Sequence, residues 1–239
     1  MSASSDLRPR PALPNRVPRV PRFLVVSVSA LLAAVALSDL FAVYAGVRTY
    51  TLINGEERFA FASQRELESA DTLYETAGTF QVSTYFACSI VFIIWFHWVR
   101  RDAGVLGPDK FRNGPGWAIG SWFIPLAQFW MPYRIAVDMW GASTRLPSDG
   151  ETQKVSLWPV NLWWGLFISS VLFNRYTGQR YAKAETLEEI RDAVLQVIVA
   201  DSLDILAAAA AVHFAVRLTG MQRLKATEGP YASALGKSE

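Results

Sequence analysis

The chain has 239 residues, of which 51% are hydrophobic and 13% are aromatic, and its mean hydropathy is +0.19. This composition is typical of a membrane protein rather than a soluble domain. The formal net charge of +2 is too small to indicate nucleic-acid binding, and no basic stripe alternates with aromatic residues. The single cysteine, Cys88, excludes both a disulfide framework and a cysteine-ligated metal cluster.

Four apolar runs predict an all-α integral membrane protein. They cover residues 24–47, 80–99, 158–174 and 193–216. A helix needs roughly 20 apolar residues to cross about 30 Å of hydrocarbon, so the first, second and fourth runs are long enough and the third is slightly short. We therefore expect a multi-pass protein with four transmembrane helices. Five is the alternative, if the segment between the second and third runs also crosses.

Two polar tails flank the predicted helical membrane domain of residues 23–220. Residues 1–22 contain five prolines and five arginines, and proline at this density prevents helix formation. We predict a disordered tail on the cytoplasmic side, because basic residues favour that side of a membrane. The chain is accordingly expected in the plasma membrane with a cytoplasmic amino terminus, and residues 221–239 are predicted to form a flexible carboxy-terminal tail.

The segment between the second and third apolar runs is the most distinctive part of the sequence. Residues 113–140 read NGPGWAIGSWFIPLAQFWMPYRIAVDMW. Pro125 and Pro132 each remove a helical hydrogen bond, which predicts a broken re-entrant or interfacial segment that returns to the side it came from. The alternative is a proline-kinked fifth transmembrane helix. Arg134 and Asp138 stand four residues apart, a spacing that allows them to pair on one helix face.

Two observations favour a returning segment. Four spans place a larger share of the 23 lysines and arginines on the cytoplasmic side than five spans do. The ends of the second and fourth runs also share a pattern, with His97, Arg101 and Gly104 in one and His213, Arg217 and Gly220 in the other. The sequence thus predicts two similar helical hairpins joined by the central segment, although three identities also arise by chance at helix ends of similar composition.

Asp39, Asp201 and Asp204 form the candidate polar site within the membrane. Ionisable side chains in membrane spans are costly, and they usually face a cavity or a partner. At a rise of 1.5 Å per residue, Asp39 and Asp201 both lie roughly 25 Å from the cytoplasmic boundary, with Asp204 one turn away on the same face. The functional hypothesis is a proton or cation relay. The alternatives are hydrogen bonding between helices and simple exposure near the outer mouth of the bundle.

The sequence contains no recognisable catalytic set. It lacks HExxH, GxSxG, P-loop and GxGxxG motifs, so we predict no catalytic residue, no metal site and no cofactor. His97 and His213 are expected near the cytoplasmic ends of two spans, too far from the aspartates to share a metal ion. The expected partners are the lipid bilayer and either another membrane protein or a second copy of the chain, without nucleic acid.

A Pro-Gly-Trp opening, a Trp-Phe-Ile-Pro-Leu-Ala motif and a Pro-Tyr pair mark the central segment. The positions concerned are Pro115, Gly116, Trp117, Trp122, Pro125, Gln128, Pro132 and Tyr133, followed by the helix with Arg134 and Asp138. On these residues the chain resembles an actinobacterial multi-pass membrane family, domain of unknown function 4328. Gln128 departs from the asparagine expected there but keeps the polar amide. The resemblance implies a membrane location and supplies no activity.

Two functions remain open at this stage. The first is a non-enzymatic accessory or scaffold protein whose central segment packs against a partner or against its own bundle. The second is a small transporter or channel that moves protons or cations through the intramembrane aspartates. The sequence favours the first, because it contains no motif that marks a transport pathway apart from the three aspartates.

Overall fold

The computed structural model describes residues 21–144 and 156–227, and these residues are helical without any strand. Of the tails predicted at residues 1–22 and 221–239, residues 1–20 and 228–239 lie outside the described residues, and Arg22 already begins the first helix. The helices, in chain order, are α1 (Arg22–Ile53), α2 (Glu56–Phe61), α3 (Gln64–Leu106), α4 (Trp117–Gly120), α5 (Met131–Ser143), α6 (Trp158–Tyr181) and α7 (Leu187–Thr227). Residues 221–227 continue α7, so the helix ends later than the tail boundary predicted at residue 220. Gln222 and Lys225 pack against other helices in this last part.

Three of the described helices are long and apolar enough to cross a membrane, namely α1, α3 and α7. The described part of the chain is therefore all-helical, with three helices that suggest a membrane protein. The predicted span at 158–174 does form a helix, α6, but it is not among the three. Its apolar run is short, contains Asn161 and Asn174 and is followed by Arg175, and these polar residues lower the mean hydropathy of the helix.

Sequence signals at the start of α3 explain why this helix extends well beyond its apolar run. The Ser63 hydroxyl accepts a hydrogen bond from the backbone N–H of Glu66, and the Glu66 carboxylate accepts one from the N–H of Ser63. Such a capping box satisfies backbone donors that the first helical turn leaves free. Because the helix starts at this cap, the polar residues before the apolar run form its first turns rather than a separate interfacial helix.

The helices α1, α3, α6 and α7 lie along one another in alternating directions. Helix α1 is antiparallel to α3, α3 is parallel to α7, and α6 is antiparallel to α7. The contacts that fix these directions are Ser38 with Thr84, Arg48 with Ser69, Gln81 with Asp201, Trp95 with Thr219, Asn174 with Asp204 and Trp163 with Phe214. As a result, one end of the bundle collects the start of α1, the end of α3, the start of α6 and the end of α7.

The central segment lies against this end of the bundle, which we call the α5 end. At its start, the ring Nδ1 of His97 lies 3.2 Å from the carbonyl oxygen of Pro115. At its end, the ammonium of Lys225 donates a hydrogen bond of 2.7 Å to the carbonyl of Ala142. Both contacts involve the closing turns of α3 and α7, so the segment leaves and rejoins the bundle at the same end.

Proline breaks the central segment as predicted, but only at one position. Between α4 and α5 the chain forms turns around Pro125 and a short 3-10 helix at Ala127–Phe129. Pro132, by contrast, lies in the first turn of α5, where its missing N–H would have no helical partner in any case. The expected second break is therefore the start of a regular helix.

Aromatic side chains pack the helices together at the α5 end and hold the central segment against them. Trp163 of α6 stacks on Phe214 of α7 with a centroid distance of 4.3 Å and an interplanar angle of 2°. Trp122 of the central segment meets Phe96 of α3 edge to face at 5.7 Å. Large rings bury more apolar area per residue than other side chains do, so these contacts stabilise the α5 end.

The outer faces of the bundle are apolar as well. Large hydrophobic side chains remain exposed along α1, α3, α6 and α7, among them Leu37, Leu40, Val82, Phe86, Ile90, Leu172, Val199 and Leu206. Exposed apolar area of this extent is rare in soluble monomers and is expected where lipid covers the surface. The pattern agrees with the three candidate spans.

Small residues let α1 and α7 approach closely. A Cβ placed on Gly46 of α1 would lie 2.8 Å from Cγ1 of Ile198, whereas one placed on Gly78 of α3 would meet nothing within 4 Å. Ala42 and Ala45 are buried beside Gly46, and α7 presents a run of buried alanines to the bundle. Small residues at helix contacts allow the backbones to pack closely in membranes.

We expect Gly46→Leu to destabilise the protein and Gly78→Leu, its matched control, to leave stability nearly unchanged. Overpacking costs about 1–3 kcal/mol, equivalent to a fall in Tm of roughly 3–10 °C. Thermal unfolding of the detergent-solubilised chain, followed by circular dichroism, measures the difference. Equal melting temperatures for the two variants would show that the α1–α7 contact is not close.

Candidate functional site

The structure brings Asp39, Asp201 and Asp204 together inside the bundle. Asp39 comes from α1, and the other two come from successive turns of α7. Their exposed fractions are 0%, 4% and 8%, so all three side chains are buried. One carboxylate oxygen of each lies within 4.8 Å of the others. We call this group the aspartate cluster.

Side-chain donors from α3 and α6 surround the cluster. The Gln81 amide nitrogen lies 2.9 Å from both Oδ1 of Asp39 and Oδ1 of Asp201, and it bridges the two carboxylates. The Tyr85 hydroxyl donates to Oδ2 of Asp39 at 3.2 Å. The Asn174 amide of α6 donates to Oδ2 of Asp204 at 2.7 Å. Neutral donors thus contact every aspartate of the cluster.

The cluster has no basic partner among the described residues. The ion pairs found among the described residues join Arg191 to Glu188 and to Asp192, which lie nearer the start of α7 than the buried carboxylates do. Three carboxylates at this distance repel one another when all are ionised, and burial adds a desolvation cost. The arrangement therefore favours a species that supplies positive charge, which can be a proton or a cation.

The spacing also fits a single metal ion. Oxygen ligands lie ~2.4 Å from Ca²⁺, so two ligands on opposite sides of the ion are separated by about 4.8 Å. The carboxylate oxygens of the cluster lie within that separation. Asp39, Asp201 and Asp204 are the described residues with the geometry to hold a cation, and the expectation of no metal site stays a prediction.

The cluster borders a large groove between α3 and α6. The groove has a volume of about 1020 Å³, and Asp201 and Asp204 contribute to its wall. Most of the lining is apolar, with Phe92, Trp122, Trp163 and Phe167 toward the α5 end. Val82 and Phe86, which also line it, are 72% and 69% exposed, so the groove opens sideways out of the bundle.

The sequence analysis missed the neutral residues of the site. Gln81, Tyr85 and Asn174 lie within or at the edge of apolar runs, where only charged residues were considered as candidates. The amide residues themselves were a usable signal, because an amide side chain in a membrane span, like a charged one, needs a hydrogen-bonding partner. The pairing of Gln81 with two different helices was decided by the packing alone.

The residues of the central motif have structural contacts away from the aspartates. Trp122 packs in the aromatic core, and the Gln128 amide donates to the carbonyl of Pro125 at 3.0 Å. The Tyr133 hydroxyl donates to Oδ1 of Asn161 at 2.9 Å and ties α5 to α6. Gly116 and Trp117 lie on the exposed surface of the segment. The motif therefore builds the α5 end and takes no part in the aspartate cluster.

Arg134 and Asp138 lie one turn apart in α5, but they do not form a close ion pair. Among the described residues, the contacts between oppositely charged side chains shorter than 4.0 Å do not include this pair. Burial raises the pKa of Asp138 above its ordinary value, while Arg134 and other basic side chains nearby lower it. The spacing that allows these residues to pair is thus present without the close contact, and Arg134, which is exposed, attracts Asp138 over a longer distance.

Both histidines lie at the α5 end. His97 contacts the Pro115 carbonyl, and the ring of His213 lies 5.1 Å from that of Trp158. Neither belongs to the group of side chains that can share a metal ion with the aspartates. Their positions match the expectation that they lie away from the polar site.

Comparisons with known proteins identify one family. The profile of the domain of unknown function DUF4328 matches residues 59–220, which include α3 to α6 and most of α7. No curated protein matches the chain significantly. No solved structure matches it significantly either.

We expect Gln81→Leu to destabilise the bundle, because it removes the one side chain that donates to both Asp39 and Asp201. A buried polar group left without its partner costs about 1–3 kcal/mol. Gln179→Leu is the matched control, since Gln179 is exposed on α6. Thermal unfolding in detergent should show a lower Tm for the first variant only, and an unchanged Tm would mean that the bridge contributes nothing.

Proposed function

We propose that this chain, which belongs to the DUF4328 family of unknown function, is a small transporter or channel for protons or a small cation. The observation that carries the proposal is the aspartate cluster. Three buried carboxylates within 4.8 Å of one another have no basic partner in the described part of the chain. Intramembrane carboxylates in such a setting usually mark an ion or proton pathway.

The helices that supply the cluster support a transport role. Asp39 lies on one candidate span and Asp201 and Asp204 lie on another, while Gln81 of the third touches both. A shift of one helix would therefore change the number of carboxylate oxygens that can contact an ion in the aspartate cluster. The groove beside the cluster leaves Asp201 and Asp204 bordering an open space in the bundle wall.

The proposal includes a topology with four spans in two hairpins. In it α6 crosses together with α1, α3 and α7, the central segment stays at the interface, and the amino terminus is cytoplasmic in a plasma membrane. The support comes from the alternating helix directions and from the contacts of Pro115 and Ala142 at the same end of the bundle. Basic residues near that end agree with a cytoplasmic position.

Cysteine labelling tests this topology in a Cys88→Ser background. With four spans, a membrane-impermeant maleimide added outside cells should label Ala184→Cys, between α6 and α7, and should leave Ser148→Cys and Ser233→Cys unlabelled. All three cysteines should react after the membrane is permeabilised. Labelling of the two serine positions in intact cells, with Ala184→Cys protected, would contradict the proposed topology, since both five spans and an inverted four-span bundle give that pattern.

Ion flux tests the transport role directly. Proteoliposomes with the full chain should move protons, Na⁺ or Ca²⁺ down an imposed gradient, measured with ion-sensitive dyes. Asp39→Asn and Asp201→Asn keep the size and shape of the side chains but remove the charge and one acceptor oxygen, so flux should fall to that of empty vesicles. Asp192→Asn is the matched control, because Asp192 is exposed on α7 and should keep the original flux.

An accessory or scaffold role is the second candidate, and the open apolar groove favours it. A groove with exposed Val82 and Phe86 at its mouth offers a docking face for a helix of another membrane protein or of a second copy. We also propose that the chain is not an enzyme, since its sequence carries no recognised catalytic motif. Flux equal to that of empty vesicles for every ion tested would remove the transport role and leave the scaffold.

A further inference from the structure

A second pocket lies at the α5 end, well away from the aspartate cluster along the length of the bundle. It is formed by the last turns of α3 and by the loop that follows, and its volume is about 510 Å³. Along α3, Gln81 and Arg100 are separated by about 28 Å at 1.5 Å per residue. The two sites are therefore independent of each other.

Three arginines line this pocket, and no carboxylate does. They are Arg100, Arg101 and Arg112, and the remaining lining residues are neutral. None of the three forms an ion pair with another described residue at 4.0 Å or less. A pocket with this lining attracts a compact anion, since the carboxylates that act on its arginines, Asp138 and Asp102, lie beyond ion-pair distance and outside the lining.

Arg100 is fixed in place by its neighbours. Its side chain is 6% exposed, although it carries a full charge. The guanidinium donates a hydrogen bond of 2.7 Å to the carbonyl of Asn113 and lies 3.5 Å from the centroid of the Phe111 ring. A Cβ added to Gly104 would lie 2.9 Å from Nη1 of Arg100, so glycine leaves the space that the guanidinium occupies. These contacts use only part of its five donors.

Arg101 and Arg112 complete the pocket from the exposed side. Arg101 lies 5.2 Å from the ring centroid of Trp98, while Arg112 follows the Phe111 that covers Arg100. Both are exposed and free to close over a bound group. Planar guanidinium groups bind phosphate oxygens in pairs of parallel hydrogen bonds, which makes arginine the preferred side chain for phosphate.

We propose that this pocket binds a phosphate group. The position of the pocket, where an apolar helix with Trp98 ends in basic residues, fits the headgroup of an anionic phospholipid. A free phosphate or a soluble phosphorylated compound offers the same chemistry. The inference does not depend on the transport role, because it involves none of the aspartates.

Calorimetric titration of the purified full chain in a non-ionic detergent tests the site. The probes are inorganic phosphate, dihexanoyl phosphatidic acid below its micellar concentration, and hexanoate as an anion without phosphate, all at the same ionic strength. Binding of both phosphate probes means that the free group suffices. Binding of phosphatidic acid alone assigns the site to a lipid headgroup. Either result supports the proposal, provided that hexanoate does not bind comparably.

Arg101→Gln/Arg112→Gln is the informative variant, because both side chains are exposed and the fold does not depend on burying them. Loss of charged hydrogen bonds weakens binding by about tenfold or more per arginine. Arg175→Gln/Arg180→Gln removes the same charge from exposed positions on α6 and should bind as the original chain does. No binding of either phosphate probe, equal binding by the two double variants, or equal binding of hexanoate would overturn the proposal.

Discussion

Three carboxylates buried between apolar helices are the constraint on which the rest of this structure depends. Each one has lost most of its water, and the chain supplies neutral donors in place of basic partners. Those donors come from α3 and α6, so the carboxylates of α1 and α7 can remain buried only when all of these helices are in place. A polar network of this kind specifies the arrangement of a membrane bundle more strongly than apolar contact does, since lipid competes equally well for apolar surface.

The hydrogen-bond network around the aspartates requires close packing of α1 against α7. Gly46 and the alanines of α1 and α7 bring two backbones together, and that proximity places Asp39 beside Asp201. With a bulkier residue at position 46 the helices would separate, and the single Gln81 amide would no longer reach both carboxylates. Geometry set by small side chains thus controls the chemistry of the site, as happens where binding groups come from different helices.

The α5 end has a different organisation, because it depends on aromatic rings and basic side chains. The central segment closes the bundle there with Trp122 and Trp140, and its opening turn provides the carbonyls that hold His97 and Arg100. Irregular backbone near a membrane is tolerated where protein covers its polar groups. The result is a molecule with acidic groups buried at one depth and a basic pocket about 28 Å away along α3.

The class of the protein and much of its central segment follow from the order of residues alone. Run length identified the three candidate spans but also predicted a fourth at 158–174, which is a helix outside that set. The prolines identified a broken segment, and the similar depths of Asp39 and Asp201 indicated that they can meet. The order of residues did not determine that Gln81 joins those aspartates, that α6 lies beside the cluster through Asn174, or that Pro132 begins a helix instead of ending one. Those features depend on which helix faces are in contact. Hydropathy and periodicity report the surroundings of each helix separately, whereas hydrogen bonds between Gln81, Asp39 and Asp201 exist only once three helices have packed.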